Sequence, residues 1–386
     1  MGVDALPWRE AWHDALYAAG RGFYVTRGGP AEHFTTATHG VTGAVLAESL
    51  LRLWLREHEQ APAVVVDVGA GRGELATHLL TALTSLEEAR PHHPDECPLP
   101  DTPDRGELGT RPHADDPPDE CPLPDTPDRG ELGTRLEGEA GRGLPATRVV
   151  AVDVVARPAG LDERIDWLRS PGGAALPAEL TGLHDALVIA HEWLDVVPCT
   201  VAEVDPDGET RVVLVDPVTG AESLGAPLDP ADRHWADRHW PTTTPGERLE
   251  VGRTRDEAWA DLVSRVGTGL LVAVDYAHVA RERPGAGTLT AYRRGVRTEP
   301  VPDGTMDLTA HVAIDTLDAD DVGRQRDVLR DLGVRGRTPP HALAATDPLG
   351  YLRALERAAA EAELIRPGGF GDFWWAVKRA PGGDVA

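Results

Sequence analysis

The sequence predicts a doubly wound α/β fold: a mostly parallel sheet of seven strands with helices on both faces. Three observations predict it. Residues 63–76, AVVVDVGAGRGELA, run an apolar β-branched strand into glycines at 69, 71 and 73 and then into an amphipathic helix, the strand–turn–helix unit of such sheets. Apolar runs at 148–153, 185–190 and 269–275 read as buried strands. The segments between them space their apolar residues helically, so strands alternate with helices.

The elements follow in chain order. Residues 4–19 put Trp8, Trp12, Leu16 and Ala19 on one helical face, and Gly20 and Gly22 end that helix. Residues 28–40 are polar, rich in hydroxyls and histidine. A second helix, about 42–57, repeats Val45, Leu46, Leu50, Leu53 and Trp54. The glycine loop and a helix over 74–86 come next.

Between 87 and 147 the character changes. PDECPLPDTPDRGELGTR occurs at 94–111 and, without a difference, at 118–135. Such a composition buries too little apolar surface to order itself, so a disordered insertion is expected. A tenfold longer surface loop costs only about 2 kcal/mol in closure entropy.

Strands then read at 148–153, 165–168 and 185–190, and a hairpin at 201–204 and 211–215 turns around DPDGE. Residues 220–247 look loop-like, with ADRHW twice in succession at 231–235 and 236–240. A helix at 255–266 leads into the strand at 269–275. Two polar segments, 287–293 and 307–312, carry single aromatics or histidine. Helices are expected at 318–332 and 347–363, and a closing strand at 370–377. The expected division is a helical lid (1–60), a core (61–200) interrupted by 87–147, substrate-side additions (201–345) that include strand 269–275, and a closing helix and strand (346–386).

Composition excludes some functions. The net charge of −26 argues against nucleic acid as a partner, since phosphate binding needs a basic face. Cys97 and Cys121 lie in the repeat and Cys199 stands alone, a pattern that supplies neither a disulfide framework nor a metal site. No apolar run reaches membrane-spanning length, and residues 1–16 lack a signal peptide's basic head and apolar core. A cytoplasmic protein without a membrane partner is expected.

The chemistry centres on Asp67-x-Gly69-Ala70-Gly71-x-Gly73. A dinucleotide loop would usually carry glycine at position 74, where this chain has Glu74. A carboxylate at a helix N-terminus suits a cationic ligand better than a pyrophosphate. The pattern resembles motif I of the class I S-adenosylmethionine (SAM) methyltransferases; from its residues alone it also fits a generic nucleotide loop. With the insertion excised, Asp153 falls some twenty residues past the glycine turn, where an acidic side chain accepts ribose hydroxyls; an ordinary strand-end Asp is the alternative. His191, Glu192 and Asp195 follow strand 185–190, so they face the same crevice.

Taken together, the motifs resemble the MidA-type SAM-dependent methyltransferases, a family that includes the mitochondrial arginine methyltransferase of respiratory complex I assembly. Gly22-Phe23-Tyr24 with His33-Phe34-Thr35-Thr36 is similar to the family's GYY…GDF-T segment, and Glu192-Trp-Leu-Asp195-Val-Val-Pro198 to N-E-x-x-D-x-x-P. Asp275-Tyr276, Gly287-Thr-Leu…Tyr292 and Asp307-Leu-Thr-Ala-His311-Val resemble DYG, GTLRAY and DITAHV. Three departures stand out: His191 replaces Asn, Glu32-His33 replaces Gly-Asp, and 36–38 lacks Ser-Pro-Glu.

The resemblance implies SAM as cofactor, held by Asp67, Gly69, Ala70, Gly71, Gly73, Asp153 and His191. It implies Glu192 and Asp195 as catalytic residues, and a substrate pocket of Tyr24, Phe34, Thr35, Tyr292 and His311. The implied acceptor is an arginine in a protein, a respiratory-complex subunit among the options, with a homodimer allowed. Alternatives are a methyltransferase of small molecules and a SAM-binding assembly factor with little turnover. An arginine stays charged at neutral pH, and stripping its proton would cost about 7 kcal/mol. A carboxylate pair that grips the guanidinium and localises a lone pair avoids that cost. Glu192 and Asp195 would both face the pocket if a helical turn starts there; Asp195 also fits a helix N-cap. His311 reads as a second base, although a lone His of this kind is more often merely hydrogen-bonded, and Tyr24, Phe34 and Tyr292 read equally as pocket walls or core aromatics.

Overall fold

Val64–Val68 (β2) is buried along its whole length, and the sheet is built outward from it. The computed structural model describes residues 5–26, 37–88 and 147–380. The chain divides into two units, residues 1–87 with 146–386, and residues 88–145; everything below concerns the first. The expected disordered insertion falls on residues 89–146, outside the described residues, and so do Phe34 and Thr35.

The chain enters through β1 (Leu6–Pro7) and α1 (Trp8–Tyr17), followed by a single turn, α2 (Phe23–Thr26), and by α3 (Gly40–Leu55). The first helix starts four residues later than its apolar spacing predicts. Proline keeps its predecessor extended, and Leu6 and Pro7 pair with a later strand instead. β2 and α4 (Glu74–Glu88) flank the glycine loop, and β3 (Arg148–Asp153), β4 (Ile165–Arg169) and β5 (Ala186–His191) continue the sheet.

Next come β6 (Thr200–Val204), β7 (Thr210–Val215), β8 (Glu222–Pro227), α5 (Pro230–His239), β9 (Arg248–Val251) and α6 (Arg253–Ser264). β10 (Gly269–Asp275) returns to the sheet centre. Short strands β11 (Ala277–His278), β12 (Thr290–Arg293), β13 (Val296–Thr298), β14 (Asp307–Thr309) and β15 (Val312–Ala313) precede β16 (Asp321–Arg324). α7 (Gln325–Asp331), α8 (Ala342–Thr346), α9 (Pro348–Leu364) and β17 (Trp374–Ala380) complete the chain.

The main sheet has the order β16-β17-β10-β5-β2-β3-β4. Its five strands from β10 to β4 are parallel, and β17 runs antiparallel between β10 and β16. Alternate residues feed two cores. Val65, Leu187 and Val272 pack with α3, α4 and α9 on one face; Val66, Val188 and Leu271 pack with Trp259 and Leu262 of α6 on the other. Strand order reverses between β2 and β5, and a doubly wound sheet opens its crevice at such a point.

Three smaller sheets accompany the first. β1-β7-β6-β9, with β8 on β7, is antiparallel; β11 pairs with β15; and β13-β12-β14 is a three-stranded meander whose β12 and β14 come from the two polar segments. Three expectations are corrected here. Residues 220–247 are ordered: β8 is followed by α5, whose start is set by Asp229 accepting from the Ala231 and Asp232 N–H groups, with Pro230 in the first turn. The ADRHW copies, five residues apart, are rotated by about 140° on a helix. They therefore meet different surroundings: Asp232 is buried between Arg253 and Thr200, whereas Asp237 is exposed; Trp235 and Trp240 are both buried. Residues 318–332 are not one helix either. Gly323 sits in edge strand β16, and α7 begins only at Gln325. The closing strand likewise starts late, at Trp374, after a 3-10 turn over Phe370–Asp372.

Candidate functional site

The glycine turn after β2 places three residues in left-handed backbone, Gly69 at φ 77°, Gly71 at 59° and Gly73 at 81°, a region open to glycine at little cost. The Gly69 and Ala70 N–H groups donate to the Val152 carbonyl (2.9 and 3.1 Å), and Gly71 N–H to Asp153 Oδ2 (2.8 Å). A Cβ at Gly73 would lie 2.8 Å from Leu161 Cδ1, so this glycine seats α4 against its neighbour. Two carboxyl groups flank the cradle. Asp67 is 2% exposed and its Oδ2 has no partner; burial raises its pKa to about 7, against the pull of the Ala76 N–H. Glu74 opens α4 and accepts from the Arg72 N–H.

Across the switch point, β5 ends at His191 and the chain turns sharply. Glu192 has φ 52°, and its N–H still donates to the Val274 carbonyl at 2.9 Å. Such an angle is costly for a residue with a Cβ, and the next five residues show what holds it. Asp275 Oδ2, at the end of β10, accepts the N–H groups of Leu194 (3.0 Å) and Asp195 (3.2 Å). The Arg255 guanidinium, 1% exposed, donates to the carbonyls of Asp195 (2.9 Å), Val197 (3.1 Å) and His311 (2.9 Å). Backbone and side chains of three elements thus fix one short loop.

Charge is concentrated there. The Glu192 side chain is 24% exposed, and its Oε1 lies 3.4 Å from His191 Nδ1. Burial first, then the charges of Asp195 and Asp307, raises its pKa to about 8. Burial lowers His191 to about 4, so the imidazole is neutral at pH 7. Asp195 is 4% exposed; its Oδ2 accepts from Thr309 Oγ1 (2.6 Å), and its Oδ1 has no partner. Asp307 accepts from the Tyr24 hydroxyl at 2.7 Å, and burial raises it to about 7.

These residues surround a cavity of about 1040 Å³, open mouth included, at the β2–β5 switch. Of the sequence candidates, Tyr24, Asp67, Gly69, Ala70, Gly71, Asp153, His191 and Glu192 line it. Gly73 shapes the turn without lining the cavity. Asp195 is behind the wall: no helix begins at this loop, only a turn closed by Val197 N–H on the Leu194 carbonyl, so Glu192 and Asp195 do not front the cavity as a pair and Asp195 is not a helix cap. Tyr292 and His311 lie on the meander side, outside the lining. The spacing argument missed Tyr17, whose hydroxyl donates to the Val196 carbonyl and whose ring stacks on Tyr24 at 5.7 Å. It also missed Arg255, Asp275 and Asp307 as site residues. Asp275 carried a usable signal, being an acid at the end of an apolar strand just as Asp153 is.

Residues 134–329, more than half of the chain, match the model of a family described as "Putative S-adenosyl-L-methionine-dependent methyltransferase". The chain belongs to this family. The match begins downstream of the glycine loop, so that loop is read from its own geometry. The whole chain (100%) is similar to a structure from Burkholderia thailandensis solved with S-adenosyl-homocysteine bound, at 20% identity and a TM-score of 0.64, covering 89% of that chain. A native structure from the same organism is similar at 21% identity, TM-score 0.64 and the same coverage. No curated protein matches. The protein is thus a SAM-dependent methyltransferase with the class I fold, and its strand order is the one described above.

The cavity fits such a cofactor. A glycine cradle without side chains admits a ligand against the backbone. Among the described residues, the Asp67 oxygen without a partner and the Glu74 carboxyl group line this cradle and would meet a cationic amino-acid end.

Proposed function

We propose that this methyltransferase methylates a guanidinium nitrogen of an arginine in a protein, as the MidA-type resemblance implies. The observation that carries the reading is Glu192: a half-buried carboxyl on strained backbone at the cavity wall, across from the glycine cradle, with a buried oxygen that no described residue satisfies. In this reading Gly69–Gly71 hold the cofactor's backbone-facing side, Asp67 and Glu74 its cationic end and Asp153 its ribose. SAM, when bound, supplies a methyl group on a cationic sulfur that an attacking nitrogen displaces in line.

The chain's own residues then do three things. Glu192 accepts N–H bonds from the guanidinium, orients one nitrogen and leaves its lone pair on that atom. Burial first, then the charges of Asp195 and Asp307, keeps the Glu192 pKa high, so this group, ionised against the bound guanidinium, can take the proton that the methylated nitrogen sheds. Tyr17 and Tyr24, tied to Val196 and Asp307, wall the passage. The segment 5–26 serves as the lid side of the site.

The test uses labelled-methyl SAM, purified protein and an extract of the source organism lacking the gene. The expected result is label in a discrete protein band that hydrolyses to methylarginine and is absent with Glu192→Gln. Label confined to small molecules would contradict the reading.

A further inference from the structure

The meander β13-β12-β14 presents one face to the Glu192 loop. Asp307 and Thr309 are two apart on β14, hence on one face, and bond Tyr24 and Asp195 respectively. Thr290 lies opposite Thr309, Tyr292 opposite Asp307, and Arg297 opposite Tyr292. Directly paired residues share a face about 5 Å apart, so Asp307, Tyr292 and Arg297 form a row of roughly 10 Å. It runs from the carboxyl cluster to an exposed sheet edge. Tyr276, directly after β10, stacks on His311 (6.0 Å, 22°), just past β14.

Arg297 differs from its neighbour. Arg293 pairs with Asp303 (3.5 Å) and donates to Thr305. Arg297 forms no ion pair with a described residue; its Nε donates to Thr290 Oγ1 at 3.0 Å, and neither Nη bonds a described residue. A guanidinium anchored through Nε presents its two Nη groups as a fork for a carboxylate. In a chain of net charge −26 most of the surface repels anions.

We propose that Arg297 binds an acidic side chain of the acceptor, so that the segment methylated carries an Asp or Glu close in sequence to its arginine. This deepens the arginine reading and rests on it. With the target arginine at Glu192 and the acid at the far end of the row, an extended peptide at about 3.4 Å per residue needs about three residues for the row alone, so the acid lies at least about three positions away.

The experiment takes the full-length protein with S-adenosyl-homocysteine and two synthetic peptides, each with one central arginine and with Asp or Asn three positions on. Binding is measured for wild type, Arg297→Gln and Arg293→Gln, and methyl transfer to the same peptides with labelled SAM. The Asp peptide should bind about fivefold more tightly to wild type and Arg293→Gln. Arg297→Gln and high salt should abolish that difference. Equal affinities in wild type, or a preference that survives Arg297→Gln, overturn the proposal, and continued methylation would leave the arginine reading standing. If neither peptide binds, the arginine reading fails and takes this proposal with it.

Discussion

The glycine-loop side of the cavity is made largely of backbone, drawn from Asp67–Gly71 and Glu74, plus one strand-end aspartate. The opposite side, the acceptor side in the proposed reading, is backed by charge: Glu192, Asp195, Asp275, Asp307 and Arg255 come from two strands, a helix and the loop they hold. The difference teaches where each half is vulnerable. Backbone geometry fails when a Cβ intrudes, whereas a buried charge cluster fails when a partner is lost or a proton moves.

Four changes probe that contrast, in order of expected size. Arg255→Met strips three carbonyls of their donor and leaves the carboxyl groups without the buried cation, which should cost about 3–5 kcal/mol; a melting curve should fall by several degrees or more. Glu192→Gln should lower methyl transfer on the order of 100-fold while the chain stays folded, checked with labelled SAM. Gly71→Val forces a β-branched residue to φ 59°, a strain of about 1–2 kcal/mol, and should weaken SAM binding roughly tenfold in a titration.

The smallest effect is on stability against pH. Asp67 and Asp307 at about 7 and Glu192 at about 8 sit above the ordinary carboxylate range, chiefly through burial. The folded chain therefore holds protons that the unfolded chain releases above about pH 4. Their protonated forms cost nothing below that pH, and stability should fall as pH rises from about 4 through 8. Glu192→Gln should flatten the fall and, at pH 8, exceed wild type by on the order of 1 kcal/mol, read as a melting temperature about 2–4 °C higher.

The same contrast sets what the sequence discloses. The glycine cradle was legible because its residues are contiguous and left-handed turns demand glycine; the alternating apolar strands likewise gave the main sheet and its helices. The carboxyl cluster was only half legible. Glu192 and Asp195 stood out together, but their spacing was read as a helical turn, and only tertiary bonds from Asp275 and Arg255 make the loop that turns one outward and the other inward. A buried arginine satisfied by carbonyls leaves no mark in a sequence. The duplicated ADRHW misled because repetition resembles a tolerated loop, although Asp229-Pro230 just before it is a sound helix start.

The central claim is that the two halves act separately, with Glu192 on the acceptor side. Calorimetric titration of S-adenosyl-homocysteine into wild type and Glu192→Gln tests it most directly. Affinities within about threefold of each other are predicted, which is under 1 kcal/mol. A loss of tenfold or more in the variant would contradict the account and place Glu192 among the cofactor's own ligands.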